Sequence, residues 1–149
     1  MSERFKIQTK EIVCDLASVR TIHEYQLAVA DKVASLDISI VFINAGVSTP
    51  GTFGQINDAQ VETMIRVNMV QPVYLTKALL PTLLKRQTNS AIVLTSSVIS
   101  HVAAPGLGTY SSTKAAVATF FDGIHYETKG KVDIMSWDCG SVVTKLNTF

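Results

Sequence analysis

The stretch Ala91-Ile92-Val93-Leu94-Thr95-Ser96-Ser97 is a nearly continuous apolar and β-branched run that ends on two serines. A run of this kind is typical of a strand that is buried on both faces of a parallel sheet. Ser39 to Asn44 has the same character, so we predict a second buried strand there. Because a long segment of helical period separates the two runs, the sequence indicates an α/β fold with crossover helices.

The same reasoning extends to the rest of the chain. The predicted strands are Glu11 to Cys14, Ser39 to Asn44, Ala91 to Thr95 and Val132 to Trp137, and the predicted helices are Ser18 to Ser35, Asn57 to Lys85 and Thr109 to Lys129. Ser18 and Asn57 are the candidate N-cap residues of the first two helices. Pro72 and Pro81 predict a kink or a break in the second helix, because proline removes a helical hydrogen bond.

Composition narrows the class of protein. The chain has 149 residues, which predicts a single domain over residues 1–149, short for a complete two-halved nucleotide-binding fold. With 47% hydrophobic residues and a net charge of +1, neither disorder nor nucleic-acid binding is expected.

Met1 to Lys10 contains no apolar leader, and no apolar run is long enough to span a membrane, so we expect an intracellular, cytoplasmic protein. Cys14 and Cys139 are predicted to be reduced core cysteines.

Polar residues follow the predicted strands at the point where each strand ends. Asn44 follows one strand, Ser97 closes the next, and Cys139 with Gly140 follows the last. In open parallel sheets the ligand crevice lies beyond the carboxyl ends of the strands, so these loops are predicted to converge on one cleft. Each feature alone also has a structural explanation, because glycine-containing strand exits and serine caps are common.

A combination of motifs is more specific than any one of them. Asn44-Ala45-Gly46, Asn68, Ser97, Tyr110 and Lys114 occur in the order in which the short-chain dehydrogenase/reductase family carries its Asn-Ala-Gly, helix Asn, strand-end Ser and Tyr-x-x-x-Lys motifs. The chain therefore resembles that family over nearly its whole length. The resemblance implies a Rossmann-like, doubly wound parallel sheet, and it is greatest to the branch that reduces 3-ketoacyl-CoA chains or hydroxysteroids.

The resemblance also assigns expected roles to the motif residues. Tyr110 would be the acid that protonates a carbonyl oxygen, and Lys114, one helical turn away, would favour its phenolate form. Ser97 would hydrogen-bond the substrate oxygen. Asn68 resembles the residue that holds a water on the proton path, although an ordinary mid-helix amide is the alternative.

The implied cofactor is NADP or NAD. The residues that the resemblance places at the cofactor are Asp15, Asn44, Ala45, Gly46, Tyr110, Lys114 and Thr144.

Cys139 departs from the family, which usually has a proline at that turn. No strand with a glycine-rich turn precedes Asp15, so we expect the fold to be incomplete, without its first βαβ unit. Gly46, Gly51 and Gly54 follow a strand, but the intervening Pro50 predicts a loop rather than a phosphate-binding turn.

The incomplete fold leaves two arrangements of the sheet open. In the doubly wound strand order, the missing strands would lie between the strand ending at Cys14 and the one ending at Asn44. Either the first strand moves over to pair with its neighbour, or the Ser39 to Asn44 strand has an unpaired edge that invites another chain. We therefore expect a homo-oligomer or a partner chain.

Three functions follow from the sequence. The first is an oxidoreductase that acts on a small-molecule ketone or secondary alcohol, for which the family branch also implies association with the endoplasmic reticulum. The second is a truncated relative that serves as a structural or interaction subunit. The third, a metal-dependent hydrolase, is disfavoured because His23, His101 and His125 lack ligand-like spacing, so no metal is expected.

Overall fold

The computed structural model describes residues 7–142 of the chain. Within this range three parallel strands form one sheet in the order β1-β2-β3. The strands are β1 (Ile40–Ile43), β2 (Ser90–Ser97) and β3 (Val132–Cys139). All three lie within or slightly beyond the predicted segments, which confirms an incomplete Rossmann-like sheet.

Helices connect these strands. Helix α1 consists of an α-helical turn (Ile22–Tyr25), a π-helical segment (Gln26–Ala30) and a last short turn (Asp31–Val33). Helix α2 consists of Asp58–Ile65, a π-helical turn at Arg66–Val70, and Gln71–Leu84. A 3-10 turn (Val98–His101) follows β2, and helix α3 (Gly108–Thr128) precedes β3. No helix within residues 7–142 combines the length and apolar character needed to cross a bilayer.

The predicted strand at Glu11 to Cys14 is wrong. Those residues form no regular structure, and Val13 is 87% exposed. A strand persists only when its backbone groups pair with a neighbouring strand, and in the described range β1 pairs with β2 alone. The second arrangement of the sheet is therefore the observed one, with β1 at an unpaired edge.

The start of α1 also differs from the prediction. Ser18 belongs to a turn in which its N–H donates to the Asp15 carbonyl at 3.1 Å. The helix begins three residues later, where the Thr21 hydroxyl accepts a hydrogen bond from the Glu24 N–H at 3.1 Å. Ser18 and Thr21 are both chemically suitable caps, and the turn at Asp15 decides between them.

Helix α2 runs through both prolines instead of breaking. Its irregularity is the π-helical turn, where the Gln71 N–H donates to the Arg66 carbonyl five residues earlier. This wider turn directly precedes Pro72, so the helix absorbs a missing donor without ending. The predicted cap at Asn57 is confirmed, because Asn57 and Gln60 form a reciprocal capping box.

One face of the sheet carries the core. Parallel connections are nearly always right-handed, so two successive steps in the same direction put both crossover helices on the same face. The buried cluster on that face comprises Ile43, Leu83, Ile92, Leu94, Val117, Phe121, Ile124, Val132 and Ile134.

On the opposite face of the sheet, the side chains of the two outer strands are exposed to solvent. Strand register places Phe42 beside Val93, and Val93 beside Met135, so these side chains share that face. Phe42 is 70% exposed, and Ile40, Met135 and Trp137 are also exposed. We call the surface formed by Ile40, Phe42, Met135 and Trp137 the open face.

Candidate active site

The carboxyl ends of the strands bring the predicted strand-end residues together. Ser97 pairs in register with Cys139 on the neighbouring strand. On the other side of β2, the Thr95 hydroxyl donates to the Asn44 side-chain oxygen at 2.9 Å. The three strand ends therefore lie next to one another, as the sequence predicted, although the cavity described below is lined by other residues.

Helix α3 supplies Tyr110 and Lys114 to the same place. Lys114 is only 5% exposed, and its Nζ donates to the Thr95 carbonyl at 2.8 Å. The same Nζ lies 5.8 Å from the centroid of the Tyr110 ring. Burial lowers the pKa of Lys114, and the neighbouring Cys139 acts in the opposite direction.

The pKa of Tyr110 does not move in the direction expected from the sequence. Burial raises the pKa of the phenol above its ordinary value, a hydrogen-bonding interaction with Ser97 lowers it, and Cys139 raises it. Lys114 is one turn away along the helix, but its ammonium group is bound to the Thr95 carbonyl and lies near the ring. Desolvation of the half-buried phenol is thus the larger effect, and the neutral form is favoured.

Asn68 connects the loop after β1 to helix α3. Its side-chain oxygen accepts a hydrogen bond from the Val47 N–H, and its Nδ2 donates to the Val47 carbonyl, both at 2.8 Å. The Nδ2 also donates to the Thr113 hydroxyl at 3.3 Å. Asn68 is buried in the π-helical turn of α2, a kind of irregularity that is frequent at functional sites. Its amide therefore holds the loop in position, which a solvent-facing helical amide would not do.

Gly46 leaves room beside the lysine. A Cβ atom at this position would lie 3.6 Å from the Lys114 Nζ and 3.5 Å from the Asn68 Oδ1. The neighbouring Asn44 and Ala45 are exposed. Gly46 thus joins the cluster, and a backbone without a side chain at this point keeps the approach to Lys114 open.

Asp15, one of the predicted cofactor residues, is not part of this cluster. Asp15 lies in the turn before α1, where its carboxylate accepts a hydrogen bond from the Ala17 N–H at 3.0 Å. In residues 7–142 the structure shows no contact between Asp15 and Lys114 or Tyr110. Thr144 lies outside the described residues. Both assignments stay predictions that rest on the family resemblance.

Sequence reasoning missed several partners of the site. Thr95 and Thr113 supply the carbonyl and hydroxyl groups that hold Lys114 and Asn68. Both residues could have been suspected from the sequence, because Thr95 lies two residues before Ser97 and Thr113 directly precedes Lys114. The His101 Nε2 and the Asp138 Oδ2 lie 2.7 Å apart, within hydrogen-bond distance, although the two residues are 37 positions apart in the chain. No local pattern reveals such a pair.

A cavity of about 150 Å³ adjoins the start of α3. It lies between the loop after β1 and the loop before α3, which are joined where the Gly51 N–H donates to the Gly106 carbonyl at 2.9 Å. The lining residues are Thr49, Gly51, Phe53, Ile56, Ala104, Pro105, Gly106, Leu107, Gly108 and Thr109. The glycine-containing segment after β1 is a loop, as predicted. Both cysteines are free, as predicted, but they are half-buried and lie outside the hydrophobic core.

Known proteins share this arrangement. The chain matches the short chain dehydrogenase family model over residues 2–149. It is 32% identical over 135 residues to the very-long-chain 3-oxoacyl-CoA reductase of Bos taurus, covering 88% of this chain and 42% of that relative.

Solved structures agree on the fold. The bulky-bulky ketone specific alcohol dehydrogenase of Comamonas testosteroni aligns with a TM-score of 0.84 and 23% identity, over 99% of this chain and 58% of that one. The alcohol dehydrogenase of Thermococcus sibiricus complexed with 5-hydroxy-NADP aligns with a TM-score of 0.75 and 23% identity, over 87% of this chain and 53% of that one. The motif order, the sheet and the family match agree, and the chain belongs to the short chain dehydrogenase family.

Proposed function

We propose that this chain carries the catalytic part of an NAD(P)-dependent oxidoreductase that reduces a ketone to a secondary alcohol. The observation that supports this function best is the convergence of Ser97, Tyr110 and Lys114 at the carboxyl ends of β1 to β3. The Lys114 ammonium lies 5.8 Å from the centroid of the phenol ring, and Ser97 lies at the end of β2 beside Cys139. An acid, a hydrogen-bond donor and a cation are the groups that carbonyl reduction requires.

The state of Tyr110 suits its proposed role as the acid. Burial raises the pKa of the phenol, so Tyr110 holds its proton at neutral pH. A protonated phenol donates to the oxygen of a ketone as charge develops there, and Ser97 stabilises the same oxygen. Alcohol oxidation would need the phenolate, which burial disfavours.

The residues of the site fit the nicotinamide end of such a cofactor. Gly46 leaves the approach to Lys114 open, and Lys114 presents a buried ammonium group there. When bound, the cofactor supplies the hydride that reduces the carbonyl carbon. By resemblance, Lys114, Tyr110, Asn44, Ala45 and Gly46 would line this end, together with Asp15 and Thr144.

The relatives support this class of reaction. The Bos taurus relative is named for reduction of a 3-oxoacyl-CoA, which contains a ketone. The Comamonas testosteroni structure is named for ketone specificity, and the Thermococcus sibiricus structure contains a modified NADP. Because this chain spans 42% of the length of the reductase, the activity of the whole relative is transferred here only as a proposal.

A second function has its own observation. The β1 edge is unpaired among the described residues, and the open face exposes Phe42 and Trp137. Such surfaces favour association with another chain. An interaction subunit that keeps the active-site residues by inheritance is therefore the alternative.

A cofactor titration separates the two functions. We would titrate the 149-residue chain with NADPH and NADH, follow nicotinamide fluorescence, and then add an aliphatic ketone and follow NADPH consumption. Tyr110→Phe should abolish reduction and keep cofactor binding, whereas Lys114→Ala should weaken both. Tyr126→Phe is the matched control, because Tyr126 lies on the same helix and is 76% exposed. A folded chain that binds neither cofactor would contradict the enzyme proposal and favour the interaction subunit.

A further inference from the structure

The hydrogen-bonded pair of His101 and Asp138 lies next to Ser97 along both the chain and the sheet. The His101 Nε2 and the Asp138 Oδ2 are 2.7 Å apart. His101 is the last residue of the 3-10 turn that begins directly after Ser97. Asp138 is the last but one residue of β3, and it pairs in register with Ser96. The pair therefore connects the turn after Ser97 to the strand beside it.

Ser97 depends on that turn for its own conformation. The Ser97 hydroxyl oxygen accepts a hydrogen bond from the Ile99 N–H at 3.4 Å, which is long for such a bond. The neighbour of Ser97 in β3 is Cys139, the residue after Asp138. A change in the turn or in the end of β3 would thus move the hydroxyl relative to Tyr110.

The His101–Asp138 pair is exposed, so its effect on local geometry can be distinguished from an effect on folding stability. The side chains of His101 and Asp138 are 66% and 34% exposed. Exposed ion pairs contribute little to folding, because water screens the charges and ordering two side chains costs entropy. Loss of this pair should therefore alter local geometry far more than overall stability.

We propose that His101 and Asp138 are positioning residues that hold the Ser97 hydroxyl against the Tyr110 phenol. The role of Ser97 in carbonyl reduction rests on the proposed function, but the geometric claim can be measured without turnover. The groups that act on Tyr110 are Ser97, which lowers its pKa, and Cys139, which raises it, with Lys114 near the ring.

The titration of Tyr110 tests the proposal directly. In protein labelled with ¹³Cζ-tyrosine, the Tyr110 resonance is assigned with Tyr110→Phe and followed against pH in the wild type, Ser97→Ala, His101→Ala and Asp138→Asn. All three variants should raise the titration midpoint of Tyr110, because each weakens the Ser97 interaction. Ser97→Ala combined with His101→Ala should shift it no further than Ser97→Ala alone. His101→Gln, which can still donate to Asp138, should restore the wild-type midpoint.

Controls keep a structural effect apart from a positional one. Glu62→Gln breaks another exposed pair, Glu62–Arg66 at 3.7 Å, and should leave the Tyr110 titration unchanged. Trp137, the single tryptophan of the chain, adjoins Asp138 and reports by fluorescence whether β3 stays folded. An unchanged Tyr110 midpoint in folded His101→Ala would overturn the proposal, and so would an unchanged midpoint in Ser97→Ala.

Turnover adds a separate measurement. If the chain reduces a ketone, His101→Ala should lower kcat about tenfold with the KM for NADPH unchanged, because misplacing a catalytic group affects the chemical step. A chain that shows no turnover but gives the expected Tyr110 shifts would contradict the proposed function and support the positioning role. Turnover in a chain whose Tyr110 titration does not shift in the variants would support the proposed function and contradict the positioning role.

Discussion

Gly46 and Gly51 lie in the same loop but have different reasons for being glycine. Gly51 has a φ of +150°, and a Cβ atom there would lie 3.0 Å from the Ile56 Cγ2. Gly46 has no such backbone conformation, and its Cβ would meet only ordinary contacts at 3.5 and 3.6 Å. The backbone conformation therefore favours glycine at position 51, whereas at position 46 glycine keeps space free beside Lys114.

This difference predicts that alanine lowers the stability of the protein at position 51 and weakens cofactor binding at position 46. Gly51→Ala should destabilise the protein by about 1–3 kcal/mol, because it combines backbone strain with a close contact. Gly46→Ala should change the free energy of unfolding by less than about 1 kcal/mol, but weaken NADPH binding because the added methyl group occupies space beside the Lys114 Nζ. Urea unfolding and the nicotinamide titration measure the two effects. Equal stability losses in both variants would contradict this assignment.

At the scale of the elements, Tyr25 packs helix α1 onto helix α2. Its side chain is fully buried, donates to the Leu16 carbonyl at 3.1 Å, and makes an edge-to-face contact with Tyr74 at 6.4 Å. Burial is the largest cause that raises the pKa of Tyr25 to about 12, followed by the charges of Cys14, Asp15 and Glu24. An unfolded tyrosine titrates near 10.

Stability should therefore fall at alkaline pH. Between about pH 10 and 12 the unfolded state loses the Tyr25 proton while the native state keeps it, so the contribution is full below pH 10 and lost as pH rises through 12. The loss from this group is at most about 3 kcal/mol. Urea unfolding at about pH 9 and about pH 11 should show a smaller drop for Tyr25→Phe than for the wild type. Tyr126→Phe should behave as the wild type, and an equal drop in all three proteins would refute the prediction.

The capping box at the start of α2 gives a second test at this scale. The Asn57 Oδ1 accepts a hydrogen bond from the Gln60 N–H at 2.9 Å, and the Gln60 side chain accepts one from the Asn57 N–H at 3.0 Å. Asn57→Ala should cost about 1 kcal/mol in thermal or urea unfolding. Asn57→Asp keeps an acceptor at the helix start and should lose much less. The prediction fails if both substitutions destabilise the protein equally.

At the scale of the whole molecule, β1 forms one edge of the sheet that residues 7–142 build. In the described range β1 pairs on one side only, and its segment from Ser39 to Ile43 contains no charge and no proline. Edge strands without such residues readily pair with other chains. The open face begins on the same strand, at Ile40 and Phe42, so the two surfaces are continuous.

Self-association should depend on this strand. Phe42→Glu puts a charge on the edge and on the open face, and it should shift the sedimentation of the concentrated protein toward the monomer. Tyr126→Glu is the matched control, because Tyr126 is similarly exposed but lies on α3. Identical sedimentation of both variants would place the association surface elsewhere.

Local pattern was sufficient for most of the elements. The three strands of the sheet, the Asn57 cap and the helix that carries Tyr110 and Lys114 were predicted from apolar runs, helical spacing and capping chemistry. These features depend on residues a few positions apart, so they can be read from the chain. The segment from Glu11 to Cys14 has strand-like composition, but pairing with a distant segment decides whether a strand forms.

The sequence by itself determined the α/β class and the order of the motif residues, because both depend on neighbours along the chain. Only the tertiary structure decided that β1 is an unpaired edge within residues 7–142, that burial raises the pKa of Tyr110, and that His101 pairs with Asp138. Each of these depends on solvent exclusion or on contacts between segments far apart in the chain, and neither quantity is local. The family motif predicted which residues meet, and the packing around them sets their chemistry.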